Sequence, residues 1–280
     1  MKSCPPFIRT CRLLVKHYLP NSQNKFSRHH QSRRTTKAFY FRQTLIYHRN
    51  IAPIAQAAMI TLHHLNNSRS QRIIWLLEEL QLPYEIARYQ RDNKTMLAPA
   101  ALQAIHPLGK APVITEGDVV VAESGAIIEY LTDKPGADWL KPAAGSKALL
   151  DYRYWLHYAE GSAMPPLVMS LVFSRLDKPP MPALLRPLAR LIANGVRNSY
   201  LQPQLETHLK HIEAQLALRG WFAGNAFSAA DIQMSFPLEA ANAIGLVTDH
   251  HPHIRAFLQA IHARPAYQAA LQQGGPYAYA

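Results

Sequence analysis

The segment NNSRS, residues 66–70, places hydrogen-bonding side chains between a strand-like stretch and an amphipathic one. Residues 60–65 (ITLHHL) read as a short strand, and residues 69–81 carry apolar residues at helical spacing. A strand therefore meets the N-terminus of a helix at this corner. The free N–H groups of such a helix, together with the Ser68 hydroxyl and the Asn67 amide, would stabilise a thiolate and lower its pKa.

The same residues also fit a purely structural role. Ser68, followed three residues later by Gln71, has the spacing of a capping box, in which the serine accepts a hydrogen bond from a free helix amide. Such a cap contributes about 1 kcal/mol. Arg69 and Arg72 would add positive charge, and Arg72 is predicted on the polar side of the helix. Helix capping and anion binding both remain open at this point.

A thiol bound at this corner would have to come from outside the protein. Both cysteines, Cys4 and Cys11, lie near the start of the chain, and residues 59–280 contain none. Those residues therefore provide no thiolate nucleophile, no cysteine metal ligand and no disulfide. The lack of disulfides suits a reducing cytosol.

The net charge of +12 is concentrated at one end of the chain. Residues 1–58 hold eleven of the 30 basic residues and none of the 18 acidic ones, so residues 59–280 are nearly neutral. The charge thus gives no reason to expect a nucleic-acid partner for the main part of the chain. No segment reaches the roughly 18 consecutive apolar residues of a membrane span.

The basic head, residues 1–58, has three interpretations. It resembles an organelle transit peptide in composition, it could be an arm that binds nucleic acid or membranes, or it could lie upstream of the true start. Met59 begins the first clear strand and favours the last interpretation. We expect the head to be disordered and the protein to be cytoplasmic, or organelle-targeted if the head is a transit peptide.

The remaining pattern predicts an α/β unit followed by helices. The order β-α-β-α-β-β-α ends near Pro135-Gly136, with a hairpin turn at Glu116-Gly117-Asp118. A Pro-, Ala- and Gly-containing linker, KPAAGSKA, follows. Beyond it the predicted helical segments, the first two interrupted by Pro165-Pro166 and Pro187, are 148–175, 182–218, 229–244 and 251–271.

Several segments together resemble the cytosolic glutathione transferase family. They are NNSRSQRIIWLLEELQLPYE, HPLGKAPV, AESGAIIEYL, YRYWLHYAEGSAMPPL and WFAGNAFSAADIQM, and the similarity is greatest to fungal and bacterial members with NSR or HSR at the first corner. The resemblance covers residues 59–280 and leaves the basic extension at 1–58 outside it. It implies a thioredoxin-like glutathione-binding domain at 59–138 and an all-helical domain with an electrophile pocket at 145–280. It also implies that Ser228 and Asp231 form a structural capping box.

The resemblance further implies a glutathione site. Pro112 matches the family's cis-proline, next to the backbone of Ala111, and Glu123-Ser124 matches the acidic-serine pair that holds the γ-glutamyl end. Read from the residues alone, Pro112 could simply start a strand, Glu123-Ser124 could cap a helix, and His106 and Lys110 could be ordinary turn residues. The implied glutathione-binding residues are His106, Lys110, Ala111, Pro112, Glu123 and Ser124.

Ser68 and Asn67 are the predicted catalytic residues. Serine-type members usually carry the hydroxyl two or three positions earlier, where this chain has Leu65 and Asn66. The absence of tyrosine from residues 59–70 argues against tyrosine-type members, and the absence of cysteine argues against the thiol-reductase branch. The predicted electrophile-binding residues are Tyr154, Tyr158 and Met164.

We therefore expect a detoxifying transferase that joins glutathione to small apolar electrophiles. The partners expected are glutathione, the electrophile and a second copy of the chain in a homodimer, with no metal and no cofactor beyond the co-substrate. Two alternatives stay open: a glutathione-dependent peroxidase acting on organic hydroperoxides, and a non-catalytic glutathione-binding scaffold.

Overall fold

The computed structural model describes residues 58–92, 95 and 97–279, which belong to a single compact unit. The predictions for the basic head therefore lie outside the described residues, apart from Ala58. The division into domains at 59–138 and 145–280 stays a prediction. None of the helices in the described ranges is long and apolar enough to cross a membrane.

A four-stranded mixed sheet forms the centre of the first half. Its strands run in the order β2-β1-β3-β4, with β1 and β2 parallel and the other neighbours antiparallel. Gly117, with φ of 58°, provides the turn between the last two strands, so the predicted hairpin is confirmed. The strands are β1 (Ile60–Leu65), β2 (Tyr84–Tyr89), β3 (Val113–Glu116) and β4 (Val119–Ala122).

Helices account for the other regular structure, and every long element after the linker is helical. The predicted class, a thioredoxin-like α/β half followed by an all-α half, is confirmed. The α-helices are α1 (Ser70–Glu79), α2 (Ala100–Gln103), α3 (Ser124–Thr132), α4 (Lys147–Tyr158), α5 (Met164–Phe173), α6 (Arg186–Val196), α7 (Gln202–Arg219), α8 (Ala229–Ala243), α9 (Pro252–His262) and α10 (Pro265–Gly274).

The first helix, α1, joins the two halves through its buried residues. Its first eight residues are all buried, because α8 and α10 cover the side that does not face the sheet. Trp75 packs edge-on against Tyr267 of α10, with ring centroids 5.2 Å apart. Since α1 begins at the polar corner, this packing holds the corner against the helical half.

The predicted interruption at Pro165-Pro166 is wrong in form, and a similar turn precedes Pro203. The helical backbone continues from α4 into α5 and from α6 into α7 through single π-helical turns at Ala159–Ala163 and Arg197–Leu201. Each π turn comes just before a proline in the first turn of the next helix, Pro165 or Pro203. A proline lacks the N–H of the regular ladder and its ring crowds the carbonyl four residues earlier, which a wider turn accommodates.

Other prolines also lie in the first turns of helices, among them Pro187, Pro252 and Pro265. Pro187 lies in the first turn of α6, where the missing N–H would have had no helical partner. The predicted single segment 251–271 is in fact two helices, α9 and α10. The break falls at Arg264, whose φ and ψ of −71° and 132° are extended because Pro265 follows.

The predicted capping box at the start of α8 is confirmed. Ser228 Oγ accepts from the Ala230 N–H, and the Asp231 carboxylate accepts from the Ser228 N–H at 2.8 Å. The same carboxylate accepts from the Ser228 hydroxyl at 2.9 Å and from the Phe222 N–H at 2.9 Å. Asp231 is fully buried, so one side chain satisfies donors of the helix start and of the preceding loop.

We predict that Asp231→Ala destabilises the fold strongly. The change leaves two buried N–H groups and a hydroxyl without an acceptor, and we expect a loss of about 3 kcal/mol or more in the free energy of unfolding. Urea denaturation followed by circular dichroism measures it. The matched control is Asp118→Ala in the exposed hairpin turn, and equal losses in both variants would contradict the assigned role.

Candidate functional site

The polar corner is a tight connection between β1 and α1. Asn67 adopts a left-handed conformation with φ of 48°, which asparagine tolerates better than most residues. Ser68 Oγ lies 2.6 Å from Ser70 Oγ and accepts from the Ser70 N–H at 3.2 Å. Ser68 therefore satisfies one free amide of α1, as expected of a helix cap, although both hydroxyls are buried.

The full capping box predicted here is wrong. Helix α1 begins at Ser70, and its N-cap residue, Arg69, makes no side-chain cap. The Gln71 side chain turns away from the corner and donates to the Ala270 carbonyl of α10 at 2.8 Å. The reason is long-range packing: the side of α1 that carries Gln71 is covered by α10, so the amide finds a partner there.

A buried histidine supports the corner from β1. Ser70 Oγ lies 2.9 Å from Nδ1 of His64 and also contacts the backbone of Leu65. Burial lowers the pKa of His64, and the charge of Arg88 adds to the effect, so the ring is neutral at pH 7. A hydrogen-bonded chain thus runs from His64 through Ser70 to Ser68.

All six predicted glutathione-binding residues line one small cavity of about 180 Å³. The Ala111–Pro112 peptide bond is cis, as the resemblance implied. The cavity holds cationic side chains beside carboxylates, so it presents both charges that a zwitterionic ligand needs. Its polar and backbone-lined wall comprises Arg69, His106, Lys110, Ala111, Pro112, Glu123, Ser124 and Glu160.

The pair Glu123-Ser124 sits at the N-terminus of α3. Glu123 has φ of 70°, a left-handed value that is unusual for glutamate, and its carbonyl accepts the first helical bond from Ile127. Ser124 is the first helical residue, and within the described chain its hydroxyl has no hydrogen-bond partner. A helix N-terminus with free N–H groups and an unpaired hydroxyl is suited to a carboxylate.

An ion-pair cluster that the sequence analysis missed adjoins the cavity. The Arg69 Nε donates to Glu160 at 2.8 Å, and Arg72 donates to the other oxygen of the same carboxylate. Arg72 also donates to the Gln233 carbonyl of α8 at 2.5 Å. The prediction that Arg72 lies on the polar side of α1 is therefore wrong: it is 2% exposed, because α8 and the π turn carrying Glu160 cover it.

One signal in the sequence could have indicated this cluster. Glu160 is a lone acid in an otherwise apolar or neutral run, HYAEGSAMPPL, just before two prolines. A charged residue in such a run is buried only when it is paired. Burial alone would raise the pKa of Glu160, but the charges of Arg72 and Arg69 outweigh it and hold this pKa below its usual value.

A second, larger cavity of about 780 Å³ adjoins the first and shares Arg69, Leu108, Lys110 and Ala111 with it. Ser68 and Asn67 line this cavity on one side. The opposite side is mainly apolar, and the predicted electrophile-binding residue Met164 belongs to it. The main apolar lining residues are Met164, Leu167, Val168, Leu171, Leu205, Phe236, Ile244 and Leu246.

The other two predicted electrophile residues lie elsewhere. Neither Tyr154 nor Tyr158 is among the residues lining either described cavity. The Tyr158 hydroxyl lies 2.6 Å from Nδ1 of His208, and the Tyr154 hydroxyl lies 3.2 Å from Nε2 of His211. The side of α4 that carries both tyrosines faces α7. Within the stretch formed by α4, the π turn and α5, residues line the larger cavity only from Met164 onward.

The segment after α10, Gly275–Tyr279, reaches the corner from the far end of the chain. The Ala278 N–H donates to Oδ1 of Asn67 at 2.9 Å, across 211 residues of sequence. The Tyr277 hydroxyl donates to the buried Glu239 at 2.7 Å, and Tyr279 packs edge-on against Phe236 and lines the larger cavity. The Asn67 oxygen is thus occupied, which leaves its NH₂ group as the free donor.

No group of three or more His, Cys, Asp or Glu side chains in the described ranges is arranged to hold a metal ion. The catalytic and binding residues predicted from the sequence stay predictions, but the structure brings eight of them and Met164 to two adjoining cavities.

Fold and site together define a two-part protein, in which a thioredoxin-like half with a cis-proline is followed by a helical half. A family model described as the glutathione S-transferase N-terminal domain matches residues 68–134, and one described as the C-terminal domain matches residues 197–265. Glutathione S-transferase 3 of Schizosaccharomyces pombe is 39% identical over 216 residues, covering 77% of this chain and 88% of that protein. The chain therefore belongs to the glutathione S-transferase family, whose members are transferases.

Other relatives agree. Glutathione S-transferase 1 of Saccharomyces cerevisiae is 30% identical over 77% of this chain and 95% of its own length. The crystal structure of a glutathione S-transferase from Actinobacillus pleuropneumoniae superposes with a TM-score of 0.62 and 34% identity, covering 79% of this chain and 94% of that one. A sphingomonad glutathione S-transferase complexed with glutathione gives a TM-score of 0.60 and 25% identity, covering 77% and 98%.

We predict that Glu160→Gln alters stability in a pH-dependent way. Because the folded pKa is held below the ordinary 4.5, the carboxylate contributes stability above that pH and loses it as pH falls through the folded value. The variant leaves Arg72 buried without its counter-ion, so we expect a loss of about 3 kcal/mol or more at neutral pH. The difference in stability between the parent and the variant should become smaller as pH falls, because the parent's carboxylate is then protonated and loses its contribution.

Urea denaturation at neutral pH and at about pH 4 measures both effects. Glu85→Gln, at an exposed glutamate of β2, is the matched control and should leave both values within about 0.5 kcal/mol of the parent. A neutral-pH loss no larger than that of the control would contradict the importance of the buried pair.

Proposed function

We propose that this protein is a glutathione transferase that activates the thiol of bound glutathione at Ser68 and Asn67 for attack on an apolar electrophile. One observation carries the proposal: the charged cavity with the cis-proline shares a wall with the larger cavity, where the Ser68 corner faces apolar side chains. A polar tripeptide held in the first cavity can thus present its sulfur to the second.

The charges of the small cavity match those of glutathione. The Glu123 carboxylate accepts from the γ-glutamyl ammonium, and the Ser124 hydroxyl with the N–H groups of α3 donates to the adjacent carboxylate. Lys110 and His106 bind the glycine carboxylate. The backbone of Ala111 pairs with the cysteinyl part. Glu160 is already neutralised by two arginines, so Glu123 is the carboxylate available to the ammonium.

The thiol is activated by donors that favour its charged form. Ser68 donates its hydroxyl hydrogen to the sulfur, while its oxygen keeps the bond from the Ser70 N–H. The Asn67 NH₂ group and the positive N-terminus of α1 add to the stabilisation. A pKa lowered by two units corresponds to about 2.7 kcal/mol of preference for the thiolate.

The electrophile occupies the larger cavity. Met164, Leu167 and Phe236 exclude water from the approach to the sulfur, and the apolar lining selects apolar co-substrates. The thiolate forms a bond to the electrophilic carbon, and the leaving group departs or the acceptor takes up a proton. Association into a homodimer stays part of this proposal.

The first test replaces the proposed thiol donor. Ser68→Ala removes the hydroxyl, and we expect the pKa of bound glutathione to rise by about one to two units, with kcat/KM at neutral pH lower by about 10- to 100-fold. The thiolate's ultraviolet absorbance, followed over pH, gives the pKa. Ser199→Ala, an exposed serine outside both cavities, is the control, and an unchanged thiol pKa in Ser68→Ala would refute the role.

The second test examines Asn67 through the hydrogen bond that its side-chain oxygen accepts from the Ala278 N–H. Ala278→Pro deletes the N–H that fixes the Asn67 oxygen, and we expect the thiol pKa to rise by about one unit. Ala278→Gly keeps the N–H and is the control. In Asn67→Ala, adding Ala278→Pro should change the thiol pKa no further, because both changes act through one side chain. Additive effects of the two substitutions would show that the segment acts elsewhere.

Parallel assays distinguish the reactions. Turnover of a chlorodinitrobenzene-type acceptor in excess over cumene hydroperoxide supports conjugation, whereas the reverse order would identify a peroxidase. Retention on immobilised glutathione without turnover of any acceptor would contradict the enzymatic proposal and favour a binding scaffold.

A further inference from the structure

The outer side of α6 and the short helical turn before it carries unusually exposed apolar side chains. Five large residues here, which we call the leucine face, all point to solvent, with Leu184 91% and Leu191 70% exposed. Leaving such side chains in water sacrifices the free energy that their burial would give. Clustering of this kind marks an interaction surface. The leucine face comprises Leu184, Leu185, Leu188, Leu191 and Ile192.

Helix α6 buries its small side chains and exposes its large apolar ones, whereas an ordinary surface helix buries the large apolar ones. Its only buried residues are Ala189 and Ala193, which contact the rest of the protein with small side chains. The leucine face, at the spacing of successive helical turns, points the other way. The sequence thus builds a helix whose bulky apolar side serves something outside this chain's own core.

The charge around the leucine face is strongly one-sided. Between residues 161 and 205 the chain has five cationic side chains, Arg175, Lys178, Arg186, Arg190 and Arg197, and a single acid, Asp177. The Asp177 carboxylate pairs with Arg190 at 2.8 Å, whereas Arg186 donates to the neutral Met181 carbonyl and keeps its charge. The surface therefore presents leucines flanked by uncompensated positive charge.

We propose that the leucine face docks on the surface of an anionic phospholipid bilayer. The leucines insert at the level of the upper acyl chains, and the flanking arginines and Lys178 lie among the headgroups. A second copy of the chain fits less well, because it would oppose one positive surface with another. The helix lies in the plane of the bilayer surface and does not cross it.

If the larger cavity binds the electrophile, as proposed above, the leucine face also has a consequence for how the electrophile enters that cavity. Val168 and Leu171 of α5 are exposed and line the larger cavity as well. Arg197, the residue after α6, lines the same cavity. The end of α6 that follows Ile192 therefore reaches the cavity, and on this proposal apolar electrophiles dissolved in the bilayer enter the cavity from that end.

The test uses the full chain and co-sedimentation with vesicles. Vesicles of phosphatidylcholine containing phosphatidylserine are compared with vesicles of phosphatidylcholine alone. The parent should bind the anionic vesicles, and added salt should weaken binding. Leu188→Ser with Leu191→Ser should lower the partition coefficient by about tenfold or more. Arg175→Glu with Lys178→Glu should weaken binding to the anionic vesicles relative to the parent, with little change on phosphatidylcholine alone.

The control is Leu150→Ser with Leu218→Ser, two comparably exposed leucines outside the leucine face, which should bind as the parent does. The basic head is present in every variant, so it cannot produce a difference between them. Thermal unfolding midpoints verify that the variants are folded.

Two results would overturn the proposal. The first is unchanged vesicle binding in Leu188→Ser with Leu191→Ser, which would place any affinity in another part of the chain. The second is loss of an oligomer in this variant, detected by sedimentation velocity, with no vesicle binding by the parent, which would make the leucine face a contact between copies. Failure of the vesicle test leaves the proposed reaction intact, because glutathione turnover in solution is measured separately.

Discussion

The ion pair between Arg72 and Glu160 fixes how the two halves of the site meet. Arg72 belongs to α1, which starts at the polar corner, and Glu160 belongs to the π turn of the helical half. Breaking such a pair leaves an uncompensated charge in the interior, at a cost of several kcal/mol. A second bond, from Arg72 to the Gln233 carbonyl, ties the same guanidinium to α8. One side chain thus sets the spacing of three elements around the cavities.

The two cavities differ in the chemistry of their lining residues because of this arrangement. Charged groups gather where β3 and α3 begin, while the apolar residues come from α5, α7 and α8. In the proposed mechanism, a thiolate at the boundary is held by hydrogen-bond donors on one side and meets mainly apolar side chains on the other. Electrostatic interactions are stronger in such surroundings than in bulk water, which helps a few donors to shift a pKa.

Local sequence signals predicted the features that neighbouring residues determine. The turn at Gly117 was predicted from the local pattern, and the box of Ser228 with Asp231 was implied by the family resemblance. Each depends on residues within a few positions, and both are present. The predicted capping box of Ser68 with Gln71 is absent, because the Gln71 side chain donates instead to the Ala270 carbonyl, 199 residues away. No local pattern carries that information.

The same limit explains what was missed at the candidate site. Arg72 lies 88 residues from Glu160, and the helical periodicity gave no sign that α8 would cover it. The tyrosines of α4 were assigned to the cavity from their spacing alone, but the rotation of α4 against α7 decides where they point. Of the three predicted electrophile-binding residues, Met164 does line the larger cavity. It lies at the start of α5, where the helical backbone continues from α4 through the π turn.

The contact between Asn67 and Ala278 has a consequence for biosynthesis. Translation delivers strand β1 early and the residues around 278 only after the ten α-helices of the described ranges have been made. The emerging chain can therefore complete its core while the corner still lacks its final hydrogen bond. A nascent polypeptide on the ribosome would hold the proposed thiol site unfinished until the residues around 278 had emerged.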